Sequence, residues 1–85
     1  MSARDQALAA GVPAFACDRI EETARALAES DVAAGLASAT FADRHDALCD
    51  AMEERGDVFT RATARLAWEA YTERVAAIDA GEVQS

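Results

Sequence analysis

The chain has 85 residues and carries 16 acidic against eight basic side chains, a formal net charge of -8 at pH 7. That length fits a single domain, and the acidic excess argues against a nucleic-acid partner, because such binders concentrate Lys and Arg on one face. No apolar run approaches the roughly 20 residues of a membrane span, and no basic segment followed by an apolar core indicates a signal peptide. We therefore expect a cytoplasmic protein with no membrane span.

The composition favours helices over strands. Ala is the commonest residue, the helix formers Leu, Glu and Arg are frequent, and Pro occurs once. No alternation of apolar and polar residues extends over the length of a strand. The fold class that we predict is all-α, either a helical hairpin or a three-helix bundle, completed by association with another chain.

The first part of the chain is predicted to form one helix. Residues 1–11 carry no strong capping signal, so we expect a frayed start. Pro13 suits the first turn of a helix, where the N–H that it lacks would have no partner, and we place this helix over residues 12–30. Apolar residues repeat every three or four positions along it and form a narrow, Ala-rich stripe: Val12, Ala16, Ile20, Ala24 and Leu27.

Residues 31–40 read as a connection to a second, longer helix. Gly35 gives the connection flexibility, and Ser38 or Thr40 is placed to cap a helix that begins near Phe41. Helical periodicity then continues to Asp79, and residues 80–85 are predicted to be a loose tail. Two antiparallel helices joined in this way form a hairpin. We assign its core to Ile20, Leu27, Phe41, Leu48, Met52, Phe59 and Leu66.

The predicted long helix, residues 41–79, contains a Gly-Asp pair near its middle. Gly56 would lie just past the end of one helix, and Asp57 would cap the next. In the alternative, one continuous helix tolerates Gly56 at a cost of about 1 kcal/mol relative to Ala. The sequence leaves both alternatives open.

A second apolar stripe lies on another side of the long helix. Its members are Trp68, Tyr71, Val75 and Ile78, spaced by three and four positions. A helix that is apolar on two sides needs cover on both, and so short a chain offers little surface to cover the second. We expect another helical chain, in a homo- or hetero-oligomer, to bind through these four residues. A compact three-helix monomer that buries them is the alternative.

No group of residues indicates catalytic chemistry. His45 is the only histidine, and together with Cys49 one turn later it supplies two of the ligands that a metal site needs. We therefore predict no enzyme activity, no cofactor and no metal. Cys17 and Cys49 are read as buried free thiols, with a disulfide across the hairpin as the alternative.

Several features recur in the order of a known family: an Ala-rich helix after Val12-Pro13, a Gly35-Leu36 connection, and a long second helix with Ala70-Tyr71 near its end. Arg supplies every basic residue and Asn is absent, as in GC-rich genomes. The chain resembles the small helical-hairpin proteins of actinobacterial type VII secretion, the WXG-type family and its ESX-associated relatives. The family's Trp-x-Gly turn is missing, and Val75 stands where its Tyr-x-x-x-Asp/Glu tail has an acid. The resemblance implies a partner-binding relative without the export signal, and it leaves non-classical secretion open.

Our leading hypothesis is a non-enzymatic helical module that pairs with another helical chain in a type VII secretion setting. Aromatic anchors dominate many interfaces, which favours Trp68 and Tyr71. The alternative is an immunity or antitoxin-like protein that neutralises a toxin through its carboxylates. Salt separates the two, because binding through an apolar face survives high salt and binding through charge does not. The carboxylates of the alternative are Asp18, Glu21, Glu22, Asp50, Glu53, Glu54 and Asp57.

Overall fold

The computed structural model describes residues 2–82, which form four α-helices. The predicted all-α class is confirmed, with one helix more than a three-helix bundle. Met1 and the last three residues of the predicted tail lie outside the described residues. Within residues 2–82, no helix is both long and apolar enough to cross a membrane. The helices are α1 (Ala3–Ala9), α2 (Ala14–Ala34), α3 (Phe41–Glu54) and α4 (Arg61–Asp79).

Helix α1 occupies the segment that the sequence predicts to be frayed. The Oγ atom of Ser2 caps it by accepting a hydrogen bond from the backbone N–H of Asp5 at 3.1 Å. Ala3 and Ala7, one turn apart, are buried in the core, and α1 packs against α2 and α4. The helix escapes notice in the sequence because two buried alanines make a short and weakly apolar stripe.

Helix α2 continues one turn beyond its predicted end and stops at Gly35. This residue has a φ of 73° and a ψ of 22°, the left-handed conformation that glycine adopts without strain. The backbone N–H of Leu36 then donates to the carbonyl of Asp31 at 2.7 Å, a hydrogen bond typical of a Schellman cap. The extra turn places Asp31 inside the helix, where its side chain is buried.

The predicted long helix is broken, so the structure has the first of the two alternatives. Gly56 follows the end of α3 with a φ of 83°, and the chain then runs without helix through residues 57–60. Asp57 does not cap the next helix. Instead, the Oγ1 atom of Thr60 accepts from the N–H of Thr63 at 3.3 Å, and the Oγ1 atom of Thr63 accepts from the N–H of Thr60 at 2.7 Å. This reciprocal capping starts α4.

Helix α4 is the centre of the fold, because α1, α2 and α3 all pack against it. Its main contact is with α2, and both helices bury alanines whose small side chains let two helices approach closely. All seven residues predicted to form the hairpin core lie in the core or at its edge. Ile20, Leu48, Met52 and Leu66 are buried, and Leu27, Phe41 and Phe59 are partly buried against them.

Candidate partner-binding groove

The four residues predicted to bind a partner all lie on α4, but they do not form one exposed face. Tyr71 is fully buried, while Trp68, Val75 and Ile78 are partly buried. The second apolar side of α4 has cover within the chain, since Tyr71 binds Asp31 of α2 and Trp68 contacts Phe41 of α3. Trp68 lines an open groove beside α3, whereas Val75 lines a separate opening next to Gly35.

Tyr71 belongs to a buried polar network and is not available to a partner. Its hydroxyl donates a hydrogen bond to Oδ2 of Asp31 at 2.7 Å. The Nε and Nη2 atoms of Arg44 donate to the two oxygens of the same carboxylate, each at 2.9 Å. The side chain of Asp31 is buried, with 3% of the residue exposed. Arg44 balances its charge, and its two oxygens accept three hydrogen bonds. The network joins α2, α3 and α4 and fixes how they pack.

Alkaline titration tests the burial of Tyr71. Burial, together with the hydrogen bond to Asp31, raises the pKa of its hydroxyl above the ordinary value of 10.0. The unfolded chain releases this proton first, so stability is intact below about pH 10 and falls as the pH rises through the raised folded pKa. We expect urea unfolding to show this fall in the wild type and a smaller one in Tyr71→Phe.

The chain is well suited to that measurement. It contains one Tyr, so phenolate absorbance reports on Tyr71 alone. If both proteins lose the same stability between neutral and alkaline pH, Tyr71 is not buried as described.

An open groove of about 580 Å³ lies between α3 and α4. Phe41 and His45 stand one turn apart on α3, Trp68 faces them from α4, and Phe59 comes from the connection before α4. The break after α3 creates this groove, because one continuous helix would separate His45 from Phe59 by roughly 21 Å at about 1.5 Å per residue. We call it the aromatic groove, and its lining residues are Phe41, His45, Phe59, Thr60, Arg61, Ala64, Arg65 and Trp68.

The rings of the aromatic groove contact one another edge to face. The ring centroids of Phe41 lie 5.3 Å from those of both Trp68 and His45, and the His45 ring lies 5.1 Å from that of Phe59. Trp68 also stacks on the buried Tyr71, with centroids 5.1 Å apart and an interplanar angle of 14°. Edge-to-face and stacked pairs stabilise such an arrangement, so the groove walls are in place before anything binds.

Two arginines without ion-pair partners line the groove. Arg61 and Arg65 are exposed one turn apart on α4, and Glu69, one turn further, accepts a hydrogen bond from the backbone of Ala3 instead. No Asp or Glu of residues 2–82 lines the groove. Elsewhere in that range, Arg55 alone shares this lack of a carboxylate partner. The arginines in ion pairs are Arg4, Arg19, Arg25, Arg44 and Arg74.

The carboxylates of the alternative hypothesis fall into two groups. Asp18 and Glu21 both pair with Arg4, the former at 2.8 Å. Asp57 is buried, and its Oδ1 atom accepts a hydrogen bond from Nε of Arg19 at 2.9 Å. Glu21 and Asp57 are therefore engaged within the fold, so the acidic surface open to a toxin is smaller than the sequence suggests, while Asp18 stays exposed despite its ion pair. The exposed acids without an ion pair are Glu22, Asp50, Glu53 and Glu54.

His45 lines the groove, and neither cysteine is among its lining residues. Nδ1 of His45 lies 3.1 Å from a carboxylate oxygen of its neighbour Asp46. Cys17 is buried, Cys49 is partly buried, and both are free thiols. Across residues 2–82, no group of three or more His, Cys, Asp or Glu side chains is placed to hold a metal ion. The groove thus offers ring surfaces and guanidinium groups.

Comparisons with protein families, with curated proteins and with solved structures find no match for this chain. The groove is therefore interpreted from its own residues. The sequence-based prediction places Phe41 and Phe59 in the core and gives Arg61 and Arg65 no role in binding. A signal was present, because the spacing of Arg61, Arg65 and Trp68 puts two cations and an aromatic ring on one helical face.

Proposed function

We propose that this chain is a non-enzymatic helical interaction module that binds another protein chain through the aromatic groove. The proposal rests on one observation, that aromatic side chains wall a groove beside two arginines without ion-pair partners. Aromatic residues and Arg are enriched in the part of an interface that supplies most of the binding energy. Trp68 keeps the anchor role that the sequence predicts, and Phe41 and Phe59 join it in place of Tyr71.

The chemistry of the groove favours recognition over catalysis. Phenyl and indole rings neither accept nor release protons, and among the described lining residues His45 alone has a side chain of the type used as a general base. Pre-placed rings lose little conformational entropy when a partner binds, so their contact area contributes efficiently to affinity. We propose a helical segment as the partner, which is also what the resemblance to the type VII secretion hairpin proteins implies.

A matched pair of Phe substitutions tests the proposal. Phe59→Ala removes one wall of the aromatic groove, and Phe15→Ala removes a ring that is 67% exposed and lies outside the groove. We expect a partner captured from the native host by the tagged wild type to bind at least tenfold more weakly to Phe59→Ala, about 1.4 kcal/mol. Binding to Phe15→Ala should equal that of the wild type.

Circular dichroism of both variants is the control for folding, and both should keep the helicity of the wild type. Phe15 and Val58 are the most exposed large apolar side chains of residues 2–82, and Phe15 marks a rival binding position outside the groove. Loss of the partner with Phe15→Ala and its retention with Phe59→Ala would move the binding site there. A captured protein that binds both variants with the affinity of the wild type would refute binding through the groove.

A further inference from the structure

We infer that the aromatic groove binds an acidic segment of a different protein chain, with carboxylates on Arg61 and Arg65 and an apolar side chain between the rings. This inference rests on the proposed function and names the chemistry of the partner. Among the described residues, the groove is lined by two guanidinium groups and no carboxylate, although the whole chain carries a net charge of -8. Its local charge is therefore opposite to that of the protein.

Within residues 2–82, Arg61 and Arg65 differ from most arginines in having no carboxylate partner. Two acidic residues are present for every arginine, and five of the eight arginines have found a carboxylate. Like charges at positions i and i+4 of a helix repel each other and destabilise it slightly. Both features disappear when an anion binds the two side chains together, because each guanidinium then gains a partner and the repulsion is screened.

The spacing of the two arginines indicates how a partner would present its acids. Residues one turn apart on a helix have Cβ atoms roughly 5 to 6 Å apart. Two Asp or Glu residues one turn apart on a partner helix have the same spacing. Guanidinium groups bind carboxylates through two parallel hydrogen bonds, which fixes their geometry. The rings of Phe41, Phe59 and Trp68 lie beside these charges and offer contact surface to an apolar side chain of the same segment.

Two other occupants fit the groove less well. Aromatic rings with Arg also bind single-stranded nucleic acids, but a strand continues beyond the groove across an acidic surface, and its backbone charges are repelled there. A second copy of this chain could offer the exposed acids of α3, Asp43, Asp46 and Asp50. That arrangement would bring together two bodies that each carry a charge of -8. A short acidic segment of another chain avoids both conflicts.

Selection from a phage library of short random peptides tests the inference with three proteins. They are the wild type, Arg65→Glu and Arg55→Glu. Both substitutions replace an arginine without an ion-pair partner by an acid, and each takes the net charge from -8 to -10, since -8 - 2 = -10. Only Arg65 lines the groove. Arg65→Glu also removes the repulsion with Arg61, so we expect it to fold.

We expect peptides selected on the wild type and on Arg55→Glu to be enriched in pairs of Asp or Glu next to an apolar residue. The enrichment should be lost with Arg65→Glu. A selected peptide is then titrated while the fluorescence of Trp68, the only Trp, reports on the groove. Its affinity should fall about tenfold or more with Arg65→Glu, stay within about twofold with Arg55→Glu, and weaken with salt.

The outcomes separate the inference from the proposed function. Peptides without acidic enrichment that still need Phe59 would overturn the inference and leave the proposed function standing. Peptides that bind Phe59→Ala as well as the wild type, or no selected peptide at all, would overturn both. Tighter binding of a thymidine oligonucleotide than of the peptide would assign the groove to nucleic acid. If sedimentation shows a dimer that Arg65→Glu dissociates, the groove binds a second copy of this chain. Binding of the oligonucleotide or of a second copy would each contradict binding of an acidic segment of a different chain.

Discussion

Asp31→Ala is expected to lower the free energy of unfolding by about 3 to 5 kcal/mol, as when one member of a buried ion pair is removed. The side chain of Arg44 is 16% exposed, and Tyr71 is fully buried. Without the carboxylate, the guanidinium keeps its charge with no counter-ion and the tyrosine hydroxyl loses its acceptor. Small domains have a total stability of about 5 to 15 kcal/mol, so this loss would leave the variant marginally folded.

Urea unfolding followed by circular dichroism measures the effect, and Asp18→Ala is the matched control. Asp18 lies on the same helix as Asp31 and also pairs with an arginine, but its side chain is 70% exposed. An exposed ion pair contributes little, because water solvates both charges and salt screens them. Equal losses for the two variants would show that the Asp31 network does not hold the helices together.

Periodicity was enough to predict the apolar framework. Ile20 and Ala24 on α2, like Leu48 and Met52 on α3, stand four positions apart, and the residues of such stripes pack together where two helices meet. The ends of the helices were harder to predict from the sequence. Gly35 and Gly56 each adopt a positive φ just past a helix, but a glycine that interrupts a helical pattern in sequence is also compatible with a continuous helix.

The partner face could not be predicted, because an apolar stripe has the same sequence whatever covers it. Trp68 and Tyr71 were assigned to a second chain because so short a chain offers little surface to cover a second apolar side. The reversal of the chain after α3 supplies the cover instead, since Phe41 of α3 contacts Trp68 and Asp31 of α2 binds Tyr71. The capping hydroxyl of Ser2 is a local signal, but the packing of Ala3 and Ala7 depends on residues far along the chain.

The charges of the groove depend on the fold in the same way. Arg19 pairs with Asp57, 38 positions later, and Arg44 pairs with Asp31 on another helix. The arginines that lack a carboxylate partner can therefore be identified only from the folded structure. Arg65 illustrates the point, since the acid one turn beyond it, Glu69, has a different hydrogen bond in the fold.

Ala7→Glu is expected to lower the free energy of unfolding by about 3 kcal/mol, because a carboxylate without a partner is costly to bury. Ala7 is completely buried between α1 and the rest of the core. The chain can respond in two ways, by burying the charge or by detaching α1 so that the carboxylate reaches water. Both lose stability, the first through desolvation and the second through exposure of the surface that α1 covers on α4.

Ala9→Glu on the exposed side of α1 is the control for that experiment. It adds the same charge to the same helix two positions later, so it reproduces any effect on helix propensity and net charge. We expect its stability to stay within about 0.5 kcal/mol of the wild type, the range of ordinary surface substitutions. Equally small losses for both variants would mean that α1 does not dock on α4. The side of α4 that α1 covers in the structure would then be open to solvent.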